Sequence, residues 1–434
     1  MQRIALIENK VKQNELPPIR SATNNKQTLA HATVDERGHA MSQGEANAAA
    51  TLPEGSGTLS ASVKTRHIHV WSAGGDGTVM SVVNMLEEYG IDLDLVFFSC
   101  IPFGTGNDFS QVLGWGRTTK KNDVVGANLN EMERLICDRL EQAEAARLDV
   151  FRVILEAHES GHVRKADSDD KQQRCVTRNM GNYMSIGVQG YVGSGFEQHR
   201  TNKRFLNILV YTIESSKWVF WRKFPPINRF IDSIVDNNGQ QILEVPYDTS
   251  QDRNQEDGAV STLNGSAIDL VIQNIPHIWG REVDLWSEAT TGLESVTNRH
   301  GSTDPTNWTP QLANDGKLEM IALGNMYSYI KKLLNVRQHV SRVGQFKTPF
   351  EIIFRKPSNH HQRKMAGCLD FARRNRYERK NIMGVMCDGE FFLIKDPKTI
   401  RFEHNARIWT LGRDSEDGKQ GRLVQDEKFS AGKR

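Results

Sequence analysis

The sequence predicts a doubly wound α/β layer over residues 67–147 and a mainly β domain over residues 148–413. Three observations carry that prediction. His67-Ile68-His69-Val70-Trp71 alternates like a strand and runs into glycines, then into a helical stripe at Val79, Val82, Val83 and Leu86. Leu93 to Phe98 is an apolar run like a buried parallel strand, again followed by a glycine loop and a helical segment. From Leu148 onward the apolar runs are short and strand-like: Val150 to Leu155, Tyr183 to Val188, Ile268 to Ile275, Leu318 to Leu323 and Phe350 to Phe354.

Each element has a local reason. Residues 13–64 are rich in Ser, Thr, Asn, Gln, Ala and Gly, with too little apolar surface to offset chain entropy, so residues 1–66 read as a disordered leader. Gly90 can end the first helix in the left-handed region, and Thr78 can cap its start. Leu129, Met132, Leu135, Ile136 and Leu140 mark a further amphipathic helix. Long polar insertions are expected at about 158–174, 237–265, 287–315 and 357–381, with one helical excursion around Lys203 to Phe224. Residues 414–434 read as a disordered tail, and no fixed-period repeat is present.

Composition narrows the function classes. The 434 residues hold 55 Lys plus Arg against 53 Asp plus Glu, a net charge of +2, so any electrostatic targeting must be local. Cys100, Cys137, Cys175, Cys368 and Cys387 form no CxxC pair, which argues against a zinc ribbon and fits a reducing compartment. No run approaches the roughly 18 apolar residues of a membrane span. Met1 to Lys12 lacks a secretory h-region. The expectation is a cytoplasmic protein, soluble or peripheral at the membrane, with no nucleic-acid motif.

The chemistry is concentrated in two loops. Gly74-Gly75-Asp76-Gly77-Thr78 follows a strand and opens a helix, where successive glycines let backbone N–H groups approach a phosphate. A carboxylate repels phosphate, so Asp76 makes sense if it acts through Mg²⁺ or water, or if it caps neighbouring amides. Pro102-Phe103-Gly104-Thr105-Gly106-Asn107-Asp108-Phe109 repeats the strand-loop-helix pattern, with Asn107 or Asp108 able to cap. Both loops then fall at the carboxyl edge of one sheet, where open α/β folds bind ligands.

These strings, with Leu113-Gly114-Trp115-Gly116, resemble the diacylglycerol kinase catalytic domain. The likeness continues through Asn182 to Val188 (with Gln189 where the family usually has Asp), and through Phe196 and His199-Arg200. It extends to Asn274-Ile275-Pro276 with Trp279-Gly280, Asp284-Leu285-Trp286, Asp315 to Glu319 and Asp388-Gly389-Glu390. The resemblance implies a fold like that of NAD kinases and diacylglycerol kinases, followed by a β-rich accessory domain. It implies ATP and Mg²⁺ as cofactors, and diacylglycerol as the substrate converted to phosphatidic acid in lipid signalling. By the same resemblance, Gly74, Gly75, Asp76, Gly77, Thr78, Gly104, Thr105, Gly106, Asn107 and Asp108 hold the nucleotide. Asp76 and Asp108 lie in the magnesium region; Asp76, Asp149 and Glu390 are catalytic, with Glu390 as general base. An inactive nucleotide- or lipid-binding relative and a ceramide or sphingoid-base kinase are the alternatives. The family's cysteine-rich fingers are absent, and its NPxSGG-type loop is not found between Met1 and Lys64, so the opening part of the catalytic domain reads as missing or replaced.

Two basic features remain. Residues 355–380 hold nine Lys or Arg against Asp370 and Glu378, a net of +7, which reads as a solvated face or as attraction to an anionic membrane surface. Lys217-Trp218-Val219-Phe220-Trp221-Arg222-Lys223-Phe224 mixes aromatics with cations as interfacial segments do, although a core helix fits it better.

Overall fold

The computed structural model describes residues 68–104, 107–119, 129–167, 172–201, 204–218, 223–247, 260–278, 281–282, 285–286, 292–327, 331, 340–356 and 376–412. The chain divides into two compact units, one of residues 1–148 with 407–434 and one of residues 149–406. No helix among the described residues is long and apolar enough to cross a membrane.

In the first unit, β1 (Ile68–Gly74) leads into α1 (Asp76–Glu88), and β2 (Val96–Pro102) returns parallel to β1. Val79, Met80, Val83 and Leu86 form the buried stripe of α1, and Gly90 follows it at φ 67°. Then come α2 (Asp108–Val112), α3 (Leu129–Gln142) and the first residues of β3 (Glu144–Lys165). The α/β character is therefore present. The third parallel neighbour is unexpected: β2 pairs through Phe97 and Phe98 with Trp409 and Thr410, near the end of the last strand. Phe97 stacks on Trp409 at 5.4 Å, and the Arg147 guanidinium lies over the same indole at 3.7 Å.

In the second unit, β3 pairs with β4 (Cys175–Met180), and the predicted insertion at 158–174 is partly strand, because β3 continues to Lys165. β5 (Tyr183–Gly187) is followed directly by α4 (Val188–His199), then by α5 (Arg204–Lys217), so the single expected helical excursion is two helices. Gly187 permits the abrupt change from strand to helix. It sits at φ 130°, and a Cβ there would lie 2.3 Å from the Ile268 carbonyl. Next come β6 (Ile231–Asp236), β7 (Gln241–Glu244), β8 (Ser261–Leu263), β9 (Asp269–Gln273), β10 (His277–Ile278), β11 (Arg281–Glu282) and β12 (Val296–Thr297). The chain continues through β13 (Lys317–Leu323), β14 (Ser341–Lys347), β15 (Phe350–Phe354), α6 (Arg376–Arg379), β16 (Ile382–Cys387) and β17 (Glu390–Gly412). The central pairings β15–β17, β17–β16, β16–β5, β5–β9 and β9–β13 are all antiparallel.

The core of this unit includes Phe151, Met184, Trp218, Phe346, Phe350 and Phe402, all essentially inaccessible. Trp218 is buried and stacks on the partly buried Phe224 with rings 5.0 Å apart, so these two aromatics of segment 217–224 pack with the core, while residues 219–222 lie outside the described residues. Most of the basic stretch, residues 357–375, lies outside the described residues.

His277 provides a pH test of this packing. It is buried in β10, its Nδ1 meets no hydrogen-bond partner among the described residues, and burial lowers its pKa from 6.5 to about 4. Between those values the unfolded chain takes up a proton that the folded chain refuses, so stability rises with pH across the window. Urea unfolding should show a loss of roughly 3 kcal/mol as pH falls from about 6.5 to 4, a loss missing from His277→Gln. Equal slopes in both proteins would remove His277 as the cause.

Candidate active site

The two glycine loops of the first unit are joined. Phe103 and Gly104 donate their backbone N–H groups to the Gly74 carbonyl at 3.0 and 3.1 Å. A Cβ on Gly104 would fall 2.4 Å from the Gly75 Cα, so the loops touch backbone to backbone and Gly104 has no room for a side chain. Asp76 completes the junction. Its Oδ2 accepts the Asp108 N–H at 3.0 Å, and its Oδ1 accepts the Phe109 N–H at 2.8 Å. The first loop's carboxylate therefore caps the second loop's helix from across the chain, the capping alternative raised for Asp76 above.

That arrangement revises two local expectations. Thr78 does not cap α1; the N-cap is Gly75, without a side-chain bond, and Thr78 donates its backbone N–H to the Gly75 carbonyl. Asn107 is the N-cap of α2 in position only. It sits in the left-handed region at φ 58°, and its Nδ2 donates to the carbonyls of Gly104 at 2.9 Å and Arg117 at 2.8 Å. Its Oδ1 is buried and finds no donor among the described residues. Asp108 is buried next to it, and Thr105 and Gly106 lie outside the described residues.

The donor set Asp76, Asn107 and Asp108 is all oxygen, which suits a hard divalent cation. Among the described residues, no three His, Cys, Asp or Glu side chains form a ready-made metal cage. Magnesium does not require one, since it keeps several waters and is commonly held by one or two carboxylates plus substrate phosphates.

The remaining predicted residues belong to the second unit. Glu390 opens β17 after Asp388-Gly389, whose φ values of 44° and 83° make the two-residue turn that Asp-Gly favours. Lys165 Nζ binds Glu390 Oε1 at 2.9 Å, and Arg178 Nε binds Oε2 at 2.9 Å. Burial works to lower the Lys165 ammonium, but its bonds to Glu390 and Asp167 outweigh that and raise it. The turn is itself gripped by backbone amides. Asp388 accepts the N–H of Gly181 at 2.6 Å, of Asn182 at 3.1 Å and of Tyr183 at 2.9 Å.

Asp149 is fully buried; its Oδ2 accepts the Gly316 N–H at 2.7 Å and its Oδ1 meets His404 Nε2 at 2.9 Å. Asn274 Nδ2 donates to the carbonyls of Asp149 and Gly181, tying Asp149 to the segment that Asp388 holds. Asp149 thus anchors the 315–317 turn, and Glu390 is reached through Asn274, Gly181 and Asp388. Sequence reading passed over Lys165, Arg178 and His404 as functional candidates, because each meets its carboxylate from more than 200 positions away. Asn274 and Asp388 did sit in motif strings, without an assigned role. Gln189, where the family usually has Asp, is buried and accepts the Tyr183 hydroxyl at 3.2 Å. Trp279, Gly280 and Asp284 lie outside the described residues.

Comparison with known proteins agrees with the family resemblance. The diacylglycerol kinase catalytic domain matches residues 20–153, and the diacylglycerol kinase accessory domain matches residues 179–367. The chain belongs to the diacylglycerol kinase family. The catalytic match begins inside the stretch read as a leader, in residues the structure does not describe. Diacylglycerol kinase theta of Homo sapiens is 26% identical over 258 residues, covering 58% of this chain and 22% of that protein. Diacylglycerol kinase 2 of Arabidopsis thaliana is 23% identical over 362 residues, covering 82% of this chain and 40% of that protein. The matched stretch thus spans less than half the length of these relatives. A crystal structure of a diacylglycerol kinase from Bacillus anthracis aligns over 80% of this chain and 76% of that one, at 14% identity and a TM-score of 0.35.

Proposed function

We propose that this chain is an ATP-dependent lipid kinase that transfers the γ-phosphate of ATP to the free hydroxyl of 1,2-diacylglycerol, giving phosphatidic acid. The observation that carries the reading is the Asp76 bridge, which fixes the Gly74–Thr78 loop and the Gly104–Asp108 loop as one surface. Such a surface suits a polyphosphate, because glycine backbones allow close approach and α1 starts there. Magnesium bound with the nucleotide would neutralise charge developing on the phosphates.

The chain's own residues take the other roles. Gly75 and Gly104 let the two loops meet backbone to backbone, Asp76 keeps the loops in register, and Asn107 Oδ1 and Asp108 supply oxygens for the metal-nucleotide complex. Glu390 accepts the hydroxyl proton as the lipid oxygen forms its bond to the γ-phosphorus and the bond to the β-phosphate oxygen breaks, releasing ADP. Lys165 and Arg178 hold the carboxylate of Glu390 in one position. Asp149 acts as a positioning residue through Gly316 and Asn274.

Labelled ATP offered with diacylglycerol, ceramide and a sphingoid base should give labelled phosphatidic acid. Label confined to the other acceptors, or no label at all, would overturn the reading. Asp76→Asn tests the bridge within it. An amide accepts through one oxygen only and turns its NH₂ toward the second backbone N–H, a conflict of about 1–3 kcal/mol. Most turnover should be lost and the melting temperature lowered; an unchanged rate at saturating magnesium would exclude the role.

A further inference from the structure

Helix α5 presents apolar side chains on its outer side as well as its inner one, where Tyr211 packs on Phe196 of α4 at 5.6 Å. Its buried side carries Glu214, which lies against Gly195 of α4 and pairs with Lys217 and His199. Asn207, part-buried, is tied to Thr201 by three hydrogen bonds. Its outer side carries Leu206, Leu209 and Ile213, exposed to 39%, 51% and 47% and spaced i, i+3, i+7 along one face. An ordinary surface helix keeps the face away from the core polar. Single exposed leucines need no explanation, but a contiguous apolar face beside buried polar groups marks a surface that meets something.

We infer that the outer face of α5 is the membrane-docking surface of this chain and inserts into an anionic lipid leaflet. Charge selects this occupant. Between residues 200 and 223 the sequence has six cations, Arg200, Lys203, Arg204, Lys217, Arg222 and Lys223, and one acid, the inward-turned Glu214. An apolar face flanked by cations is the pattern of helices that lie in the interface of anionic bilayers. Within the second unit α5 packs on α4 at Gly195, and α4 packs on Phe391 of β17 at Gly193. Phe391 and Glu390 are successive strand residues whose side chains point to opposite faces, so this surface recruits the chain to a membrane without lining the Glu390 site. The inference rests on the lipid-kinase reading, since a diacylglycerol with long acyl chains resides in a membrane and is reached there.

Flotation with phosphatidylcholine vesicles, with and without phosphatidylserine, tests it on the full chain. The double substitution Leu209→Glu with Ile213→Glu changes exposed positions only, and an unaltered melting curve verifies the fold. Affinity for phosphatidylserine vesicles should fall about tenfold or more, while Leu209→Phe retains it. Added salt should weaken wild-type binding. Turnover on a short-chain, water-soluble diacylglycerol should be unchanged in the double variant, and turnover on vesicle-embedded diacylglycerol should drop with binding. Wild-type-like vesicle binding by the double variant overturns the inference, as does a wild type that ignores vesicles. A shift from dimer to monomer on substitution overturns it too, because a second copy then covers the face. If wild type phosphorylates no diacylglycerol yet loses vesicle binding on substitution, the kinase reading falls and the docking surface stands.

Discussion

Replacing Glu390 with glutamine should lower kcat by about two to four orders of magnitude while leaving nucleotide affinity nearly unchanged. The amide keeps the shape of the side chain and one acceptor for Lys165 or Arg178, so the turn and the strand that follows should persist. It cannot take the proton of the attacking hydroxyl. A general base acts in the transition state and contributes little to ground-state binding, so kcat and kcat/KM should fall together. Steady-state kinetics alongside direct nucleotide titration separates these terms. An ordinary kcat in the Glu390→Gln variant would make Glu390 a hairpin residue held by two cations and nothing more.

Asp388→Ala should be the most damaging substitution to stability. Three backbone N–H groups, from Gly181, Asn182 and Tyr183, converge on this one buried carboxylate. Truncation leaves them facing a small cavity, at a cost of about 1–3 kcal/mol for each that water does not reach. The new alanine must also hold a φ of 44°, which disfavours any side chain without local hydrogen bonds. Asp388→Gly distinguishes the two causes, since glycine accepts that φ but still lacks the carboxylate. Urea unfolding should place both variants at least about 3 kcal/mol below the wild type, with alanine the worse. If glycine proves as stable as aspartate, backbone conformation is the whole role and the three amides find other partners. Because the same turn presents Glu390, the surviving folded fraction should also show reduced turnover.

Much of the site was legible in the sequence, for local reasons. Gly74–Thr78 and Pro102–Phe109 each announced a strand-to-helix turn, since glycine next to capping residues has few other uses between a strand and a helical stripe. Gly90 ended α1 at φ 67°, and Asp388-Gly389 made a tight hairpin, because both depend on residues adjacent in the chain. The alternation into α1 and β2, and the strand runs at 183, 318 and 350, followed from periodicity alone. The family assignment rested on the same strings, in order along the chain.

What tertiary structure alone decided depends on contacts between distant positions. Asp76 could have served a metal or capped amides. That it caps α2 follows from two N–H groups 32 and 33 positions away. The partners of Glu390 come from β3 and β4, and the third parallel strand of the first unit comes from the far end of the chain. Trp218 and Leu209 show the limit most plainly. Both lie in one apolar, cation-rich stretch whose pattern marks a helix with an apolar face, yet Trp218 is fully buried and Leu209 is half exposed. Periodicity reports which side chains share a face. Whether that face meets protein or solvent is set by what packs against it: on α5 the side bearing Glu214 packs on Gly195 of α4, and Leu209 lies on the other side.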